Sequence, residues 1–270
     1  MCDKFVFLQK SYTMKTKQDI IRNWLPRYTG QSVEEFGKYV LLTNFRHYVK
    51  LFASWHNVPI KGLDSAMPSS TFGDITIVDF SMGSANAATI MDLLAATDLK
   101  AVLFVGKCGA LKKNDVGDLI LPIAGIRGEG TSNDYLPPEI PALPAFSLQK
   151  AISTTIRDNG LDYWTGTVYT TNRRVWEHDD EFKEYLKRIR AIAIDMETAT
   201  LFTVGFANHI PTGALLLVSD QPMMYEGVKT EASDRIVTEK YVETHLRIGI
   251  ESLKQLIHNG NTVKHLRFDD

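Results

Sequence analysis

The chain has 270 residues, with 30 Lys+Arg against 32 Asp+Glu and a formal net charge of -2. That length fits one large domain at about 100–200 residues per domain, and 44% hydrophobic with 23% charged residues is a globular composition rather than a disordered one. Near-neutrality excludes a broad basic nucleic-acid surface, though not a small anion pocket. Two cysteines, Cys2 and Cys108, exclude a disulfide scaffold and a four-cysteine zinc site.

Residues 1–270 read as a single domain, with 1–13 an N-terminal arm ahead of Met14. No apolar run reaches the roughly 18 residues of a membrane span. The run 5–8 is too short for a signal-peptide core. A cytoplasmic protein with no membrane and no nucleic-acid partner is therefore expected.

Continuous Val/Ile/Leu-rich runs predict strands at 38–42, 75–80, 101–105, 119–123, 165–170, 191–194 and 214–218. Helices are predicted at 84–97 with Ser84 as N-cap, at 180–190, at 198–207 and at 232–258, the last stopped by Gly260. The alternation predicts an α/β sandwich with a mixed sheet. The longest irregular segment, 127–143, carries three prolines and reads as a functional or flexible loop.

Five strand-end motifs follow in order. Ser81-Met82-Gly83-Ser84 opens a helix, where backbone N–H groups suit either an ordinary cap or an anion. Val105-Gly106-Lys107-Cys108-Gly109-Ala110 suits a tight turn or close approach of a ligand, and matches neither a P-loop nor a dinucleotide fingerprint. Tyr169-Thr170-Thr171-Asn172-Arg173-Arg174-Val175-Trp176 sets two arginines among aromatics, suited to phosphate and a base or simply to a solvated turn. Ile194-Asp195-Met196-Glu197 places two acids between buried elements, in register to point the same way if extended. Leu217-Val218-Ser219-Asp220-Gln221-Pro222 places an acid at the end of the most apolar strand. The seven histidines lack the spacing of a zinc site, so no metal and no cofactor are expected. A G-x-S-x-G elbow is missing, and nothing in the sequence sets a base beside Cys108.

Taken together and in this order, Gly106-Lys107-Cys108-Gly109, Thr170-Thr171-Asn172-Arg173-Arg174, Ile194-Asp195-Met196-Glu197 and Val218-Ser219-Asp220 resemble the nucleoside phosphorylase and nucleosidase superfamily. Within it they are most similar to the AMP nucleosidase family, from about residue 43 onward. The resemblance implies a three-layer α/β/α sandwich with a mixed, partly barrel-like sheet. It implies homohexamers built from dimers, and hydrolysis of AMP to adenine and ribose 5-phosphate. It assigns Asp220 to the purine N7 and Glu197 to the ribose hydroxyls. Met196 would pack on the ribose, and Gly83 and Gly106 would lie near the sugar and anion. Thr171 and Asn172 would line the base pocket.

Related hexameric phosphorylases carry phosphate-holding Arg and Ser residues in the neighbourhood of Phe104 and Lys107, so the resemblance favours water over phosphate as nucleophile. Arg46, Lys107, Arg173 and Arg174 are candidates for the 5′-phosphate of AMP. The longer AMP nucleosidases also carry an N-terminal regulatory domain for which this chain shows no matching sequence. The alternatives are a phosphate-dependent purine nucleoside phosphorylase and a purine-nucleotide-binding module without turnover.

Overall fold

In the computed structural model, which describes residues 15–258, successive residues of single strands serve opposite cores. Strand β4 (Ala101–Ala110) sends Val102 and Phe104 to one core and Leu103 and Val105 to the other. Strand β8 (Thr212–Asp220) divides Leu216 and Val218 from Leu215 and Leu217 in the same way. Such strands must be apolar on both faces, which is why they read as unbroken apolar runs.

The remaining strands are β1 (Tyr39–Thr43), β2 (Ser69–Phe72), β3 (Ile75–Asp79), β5 (Leu119–Gly128), β6 (Trp164–Thr171) and β7 (Ala193–Asp195). The sheet order is β2-β3-β1-β4-β7-β6-β5-β8, and β8 also pairs with β4. Strands β4, β7, β6, β5 and β8 thus close a five-stranded barrel, from which β1, β3 and β2 extend. Parallel pairs β1–β4, β4–β8, β5–β6 and β6–β7 coexist with antiparallel β4–β7 and β5–β8.

Helices α1 (Lys17–Thr29), α3 (Ser84–Leu94) and α6 (Thr198–Ala207) cover one face. Helices α2 (Arg46–His56), α4 (Phe146–Asp158) and α7 (Glu231–His258) cover the other. Helix α5 (Asp180–Arg188) closes a smaller cluster with Tyr169, Trp176 and Ile194. This is the expected three-layer sandwich with a mixed, partly barrel-like sheet.

Several details differ from the sequence reading. Gly83, not Ser84, is the N-cap of α3, at φ 99°, and the Ser84 hydroxyl instead donates to the Met196 carbonyl at 2.7 Å. That helix ends at Leu94 rather than at 97. Strand β5 runs to Gly128, and the loop after it is gathered by Arg127. The guanidinium donates to Ser132, Asn133 and the carbonyls of Leu136, Pro137 and Ile140. The proposed arm 1–13 and the stop at Gly260 lie outside the described residues.

Candidate active site

A cavity of about 280 Å³ is lined by the end of β8 (Ser219, Asp220), the β7–α6 turn (Ile194 to Glu197) and the carboxyl end of β4 (Lys107 to Gly109). Thr171, Arg173, Arg174, Trp176 and Glu177 after β6, Asn44 and Phe45 after β1, Met82, Pro222 and Lys229 complete it. Asp220, Glu197, Met196, Lys107, Thr171, Arg173 and Arg174 are therefore brought together.

The two acids of the β7–α6 turn part company. Asp195 Oδ2 accepts the Thr198 N–H at 2.8 Å and the Thr198 hydroxyl at 2.5 Å, and Oδ1 accepts the Thr170 hydroxyl at 2.7 Å. Thr170 in turn accepts the Ala199 N–H at 2.9 Å. Asp195 is thus a buried clasp on the first turn of α6, which has orphan N–H groups to satisfy. The turn is not extended as the spacing suggested, because the backbone at Glu197 has already left the strand conformation (φ -137°, ψ -34°).

Glu197 is 1% exposed. Its Oε1 accepts the Gly83 N–H at 2.7 Å, and its Oε2 accepts the Met196 N–H at 3.3 Å. The N-terminus of α3 therefore has an acidic partner, as the Ser81–Ser84 motif allowed, but that partner is the protein's own Glu197 carboxyl. Burial, reinforced by the nearby Asp195, pushes the Glu197 carboxyl up to about 8, while the Gly83 N–H and the Asn44 amide pull the other way. Among the described residues Asn44 Oδ1 finds no hydrogen-bond partner, which leaves a buried acceptor on the cavity wall.

Asp220 has one side-chain donor, the Ser219 hydroxyl, at 2.6 Å. Burial raises its carboxyl above the ordinary range; that hydrogen bond, Lys229 and Arg174 oppose the rise. A carboxyl so placed tends to keep its proton and to give it to a ligand nitrogen. Cys108 is also in the wall, but burial drives its thiol well up, which makes it unreactive.

Other expected site residues sit elsewhere. Gly106 does not line the cavity. A Cβ there would fall 2.2 Å from the Phe104 ring, so this glycine makes room for a core aromatic. Gly83 reaches the site only through its N–H. Asn172 is exposed and donates to the Glu129 carbonyl, outside the cavity. Arg46 opens α2 and faces Asp79 at 3.5 Å, lining a neighbouring cavity of about 260 Å³ with His47, Thr238 and Asp234. The 127–143 loop contributes nothing to the main cavity.

Asn44, Phe45, Lys229 and Asp234 escaped the sequence reading. The first two lie two and three residues beyond the strand predicted at 38–42, which was a usable signal. Lys229 and Asp234 meet Lys107 across more than a hundred residues and carried none.

The model of the phosphorylase superfamily matches residues 38–254. The chain is 30% identical to AMP nucleosidase of Escherichia coli K12 over 88% of its own length, and spans 58% of the length of that protein. It is 27% identical to guanosine phosphorylase of Halorubrum lacusprofundi, over 68% of this chain and 77% of the other. The crystal structure of AMP nucleosidase from Bacteroides thetaiotaomicron superposes with a TM-score of 0.82 and 54% identity, covering 91% of this chain and 99% of that one. With one family model over most of the described fold, and a solved relative of this identity over almost its full length, the chain belongs to the phosphorylase superfamily and, within it, to the AMP nucleosidase family.

Proposed function

We propose that this chain hydrolyses the N-glycosidic bond of AMP, releasing adenine and ribose 5-phosphate. The observation that carries the reading is the meeting, in one cavity, of a buried carboxyl, Glu197, and a half-buried one, Asp220, both with upward-shifted proton affinity and flanked by Met82 and Met196.

Breaking the C1′–N9 bond leaves negative charge on the base and positive charge on the sugar, and rate comes from stabilising both more than the bound substrate. Asp220 gives its proton to N7, so adenine leaves neutral. Water adds its oxygen to C1′, and its proton restores Asp220. Glu197 engages the ribose hydroxyls, and the methionines give the sugar an apolar wall. Asn44 Oδ1 offers an acceptor to the attacking water or to a ribose hydroxyl. Thr171 and Trp176 line the base side.

The family assignment and the exposed apolar residues Ile123, Leu143, Phe146 and Trp164 support a homohexamer. We infer further that residues 1–270 act as one catalytic domain and that the protein works in the cytoplasm. None of the described helices is long and apolar enough to cross a membrane.

The test is product identification with AMP, adenosine and inosine, each with and without inorganic phosphate. Adenine plus ribose 5-phosphate from AMP in phosphate-free buffer is the expected result. Phosphate-dependent formation of a ribose 1-phosphate ester would replace hydrolysis with phosphorolysis, and no product from any substrate would leave a binding module.

A further inference from the structure

One acid of the cavity wall has no part in the reaction or in the Asp195 clasp. Glu177 lines the cavity together with Asp220, and its side chain is 15% exposed. It sits in the turn Trp176–Asp179, closed by the Asp179 N–H on the Trp176 carbonyl at 2.9 Å. Before it, Trp176 is buried against the Phe182 ring, with centroids 5.5 Å apart. After it, Asp179 caps α5 by accepting the Phe182 N–H at 2.9 Å. The backbone that carries Glu177 is thus fixed at both ends.

The carboxylate is held as well. Its Oε2 accepts the Trp176 N–H at 3.0 Å, and its Oε1 accepts from Arg174 at 3.3 Å. A carboxylate has about four acceptor sites and no donor, so these two bonds leave acceptor capacity on the cavity wall. Glu177 is also close enough to Asp220 to act on it. Burial is the main cause of the raised Asp220 carboxyl, and the charge of Glu177 adds to the rise.

The shape of a purine decides what such a neighbour meets. The substituent at C6 projects beside N7 on the same edge of the base. In adenine that edge pairs an acceptor at N7 with a 6-amino donor, whereas in a 6-oxo purine both groups are acceptors. With Asp220 on N7, an acid alongside Asp220 faces the C6 substituent. It accepts from an amino group there and repels an oxo oxygen.

We propose that Glu177 is the specificity-determining residue for the base, holding the 6-amino group of adenine and rejecting 6-oxo purines. The assignment rests on the AMP reading above, in which Asp220 engages N7.

The test compares kcat/KM of the full chain on AMP and on inosine 5′-monophosphate (IMP), which carries a 6-oxo group instead. Wild type should favour AMP by about 10²-fold or more, because a site built to bond one group leaves its polar atom unpaired against the other. Glu177→Gln, whose amide can turn an N–H toward an oxo group, should shrink that ratio by about tenfold or more, the worth of one hydrogen bond to a charged group. Glu177→Leu should shrink it through loss of activity on AMP. A disturbance of Asp220 or of the turn falls on both substrates alike, so the ratio separates recognition at C6 from a structural role, and thermal melting checks the fold. A ratio unchanged in both variants would overturn the assignment. So would a wild type without preference, or one that prefers IMP, which would give this edge to the Arg174 guanidinium. Calorimetric binding of adenine and hypoxanthine, read without turnover, keeps the two failures apart. If wild type cleaves no AMP, the AMP reading fails; a preference for adenine that Glu177→Gln abolishes still supports Glu177, and equal binding of the two bases to wild type overturns it.

Discussion

Two regions of the cavity wall carry acids, and they are built in opposite ways. At the β7–α6 turn, Asp195 is saturated by three donors from Thr170 and Thr198. At the end of β8, Asp220 has, among the described residues, the Ser219 hydroxyl alone. Both are Asp at strand ends and both are shifted upward by burial. What separates them is the number of protein donors: an acid whose lone pairs are taken by hydroxyls and a helix N–H clasps that helix, and an acid left under-satisfied faces the ligand. Glu197 lies between these extremes, with fixed N–H partners and a place on the cavity wall.

The largest expected effect breaks the comparison at its chemical end. Asp220→Asn keeps the shape and removes the transferable proton, so kcat on AMP should fall by about 10²–10⁴-fold, the usual range for a general acid. AMP binding should persist. Near-normal turnover in this variant would remove Asp220 from the reaction and leave the two acids chemically equivalent.

The structural end comes next. Asp195→Asn puts an amide N–H₂ against a site built from donors, and hydrogen bonds to a charged group are worth about 1.5–3 kcal/mol. Urea denaturation should show a loss of that size with the m-value unchanged, whereas Asp220→Asn should cost less than half as much. Equal losses would mean that donor number does not distinguish the two residues.

Much of this was readable beforehand, for a physical reason. Strands covered on both faces must be apolar throughout, so β1, β3, β4 and β8 announced themselves, and their ends located Asp220 and Lys107. Strand β2 did not, because Ser69–Phe72 is a short edge strand with no apolar run. Helices α1, α2 and α4 were not singled out; the apolar residues of α1 and α4 are thinly spaced among polar ones, whereas α2, with Tyr48, Val49, Leu51, Phe52 and Trp55, carried a usable amphipathic signal. At the site, the Asp-Met-Glu spacing located both acids but not their division of labour, which depends on Thr170 and on the backbone turn at Glu197. The Lys107–Asp234–Lys229 cluster joins β4 to α7 and the loop before it, and only the tertiary fold creates it. The arginine pair drew attention as a motif, yet Arg173 has Asp179 and Arg174 has Glu177, whereas Lys107 and Lys229 share Asp234.

A smaller effect sharpens the intermediate position of Glu197. The folded protein raises this carboxyl from its ordinary 4.5 to about 8. Between those values the folded chain keeps a proton that the unfolded chain releases. The contribution of Glu197 to stability is therefore full below about pH 4.5 and is lost as pH rises through about 8. The slope is at most about 1.4 kcal/mol per pH unit. Glu197→Gln, which cannot ionise, should flatten that part of the profile, so the stability of the variant relative to wild type should rise from pH 5 to pH 8. A difference that does not vary with pH would mean that Glu197 is ionised throughout, like a fully satisfied carboxylate. The same variant should raise KM for AMP more than for 2′-deoxy-AMP if Glu197 holds the ribose diol.

The smallest effect concerns the 127–143 loop, which the sequence presents as a functional or flexible segment. Its residues do not line the cavity, and Arg127 ties it to itself through five acceptors. The Gly125 N–H adds a bond to the Ala142 carbonyl at 2.8 Å, closing the base of the loop. Here, as at Asp195, polar groups are consumed by internal partners, so the segment should behave as scaffold. Hydrogen exchange over 129–141 should be the same with and without AMP, while Arg127→Met should speed exchange there and change kcat by less than about threefold, as expected for a local opening remote from the chemistry. AMP-dependent protection of these amides would instead make the loop a lid, and would show that internal hydrogen-bond satisfaction does not separate scaffold from working parts in this protein.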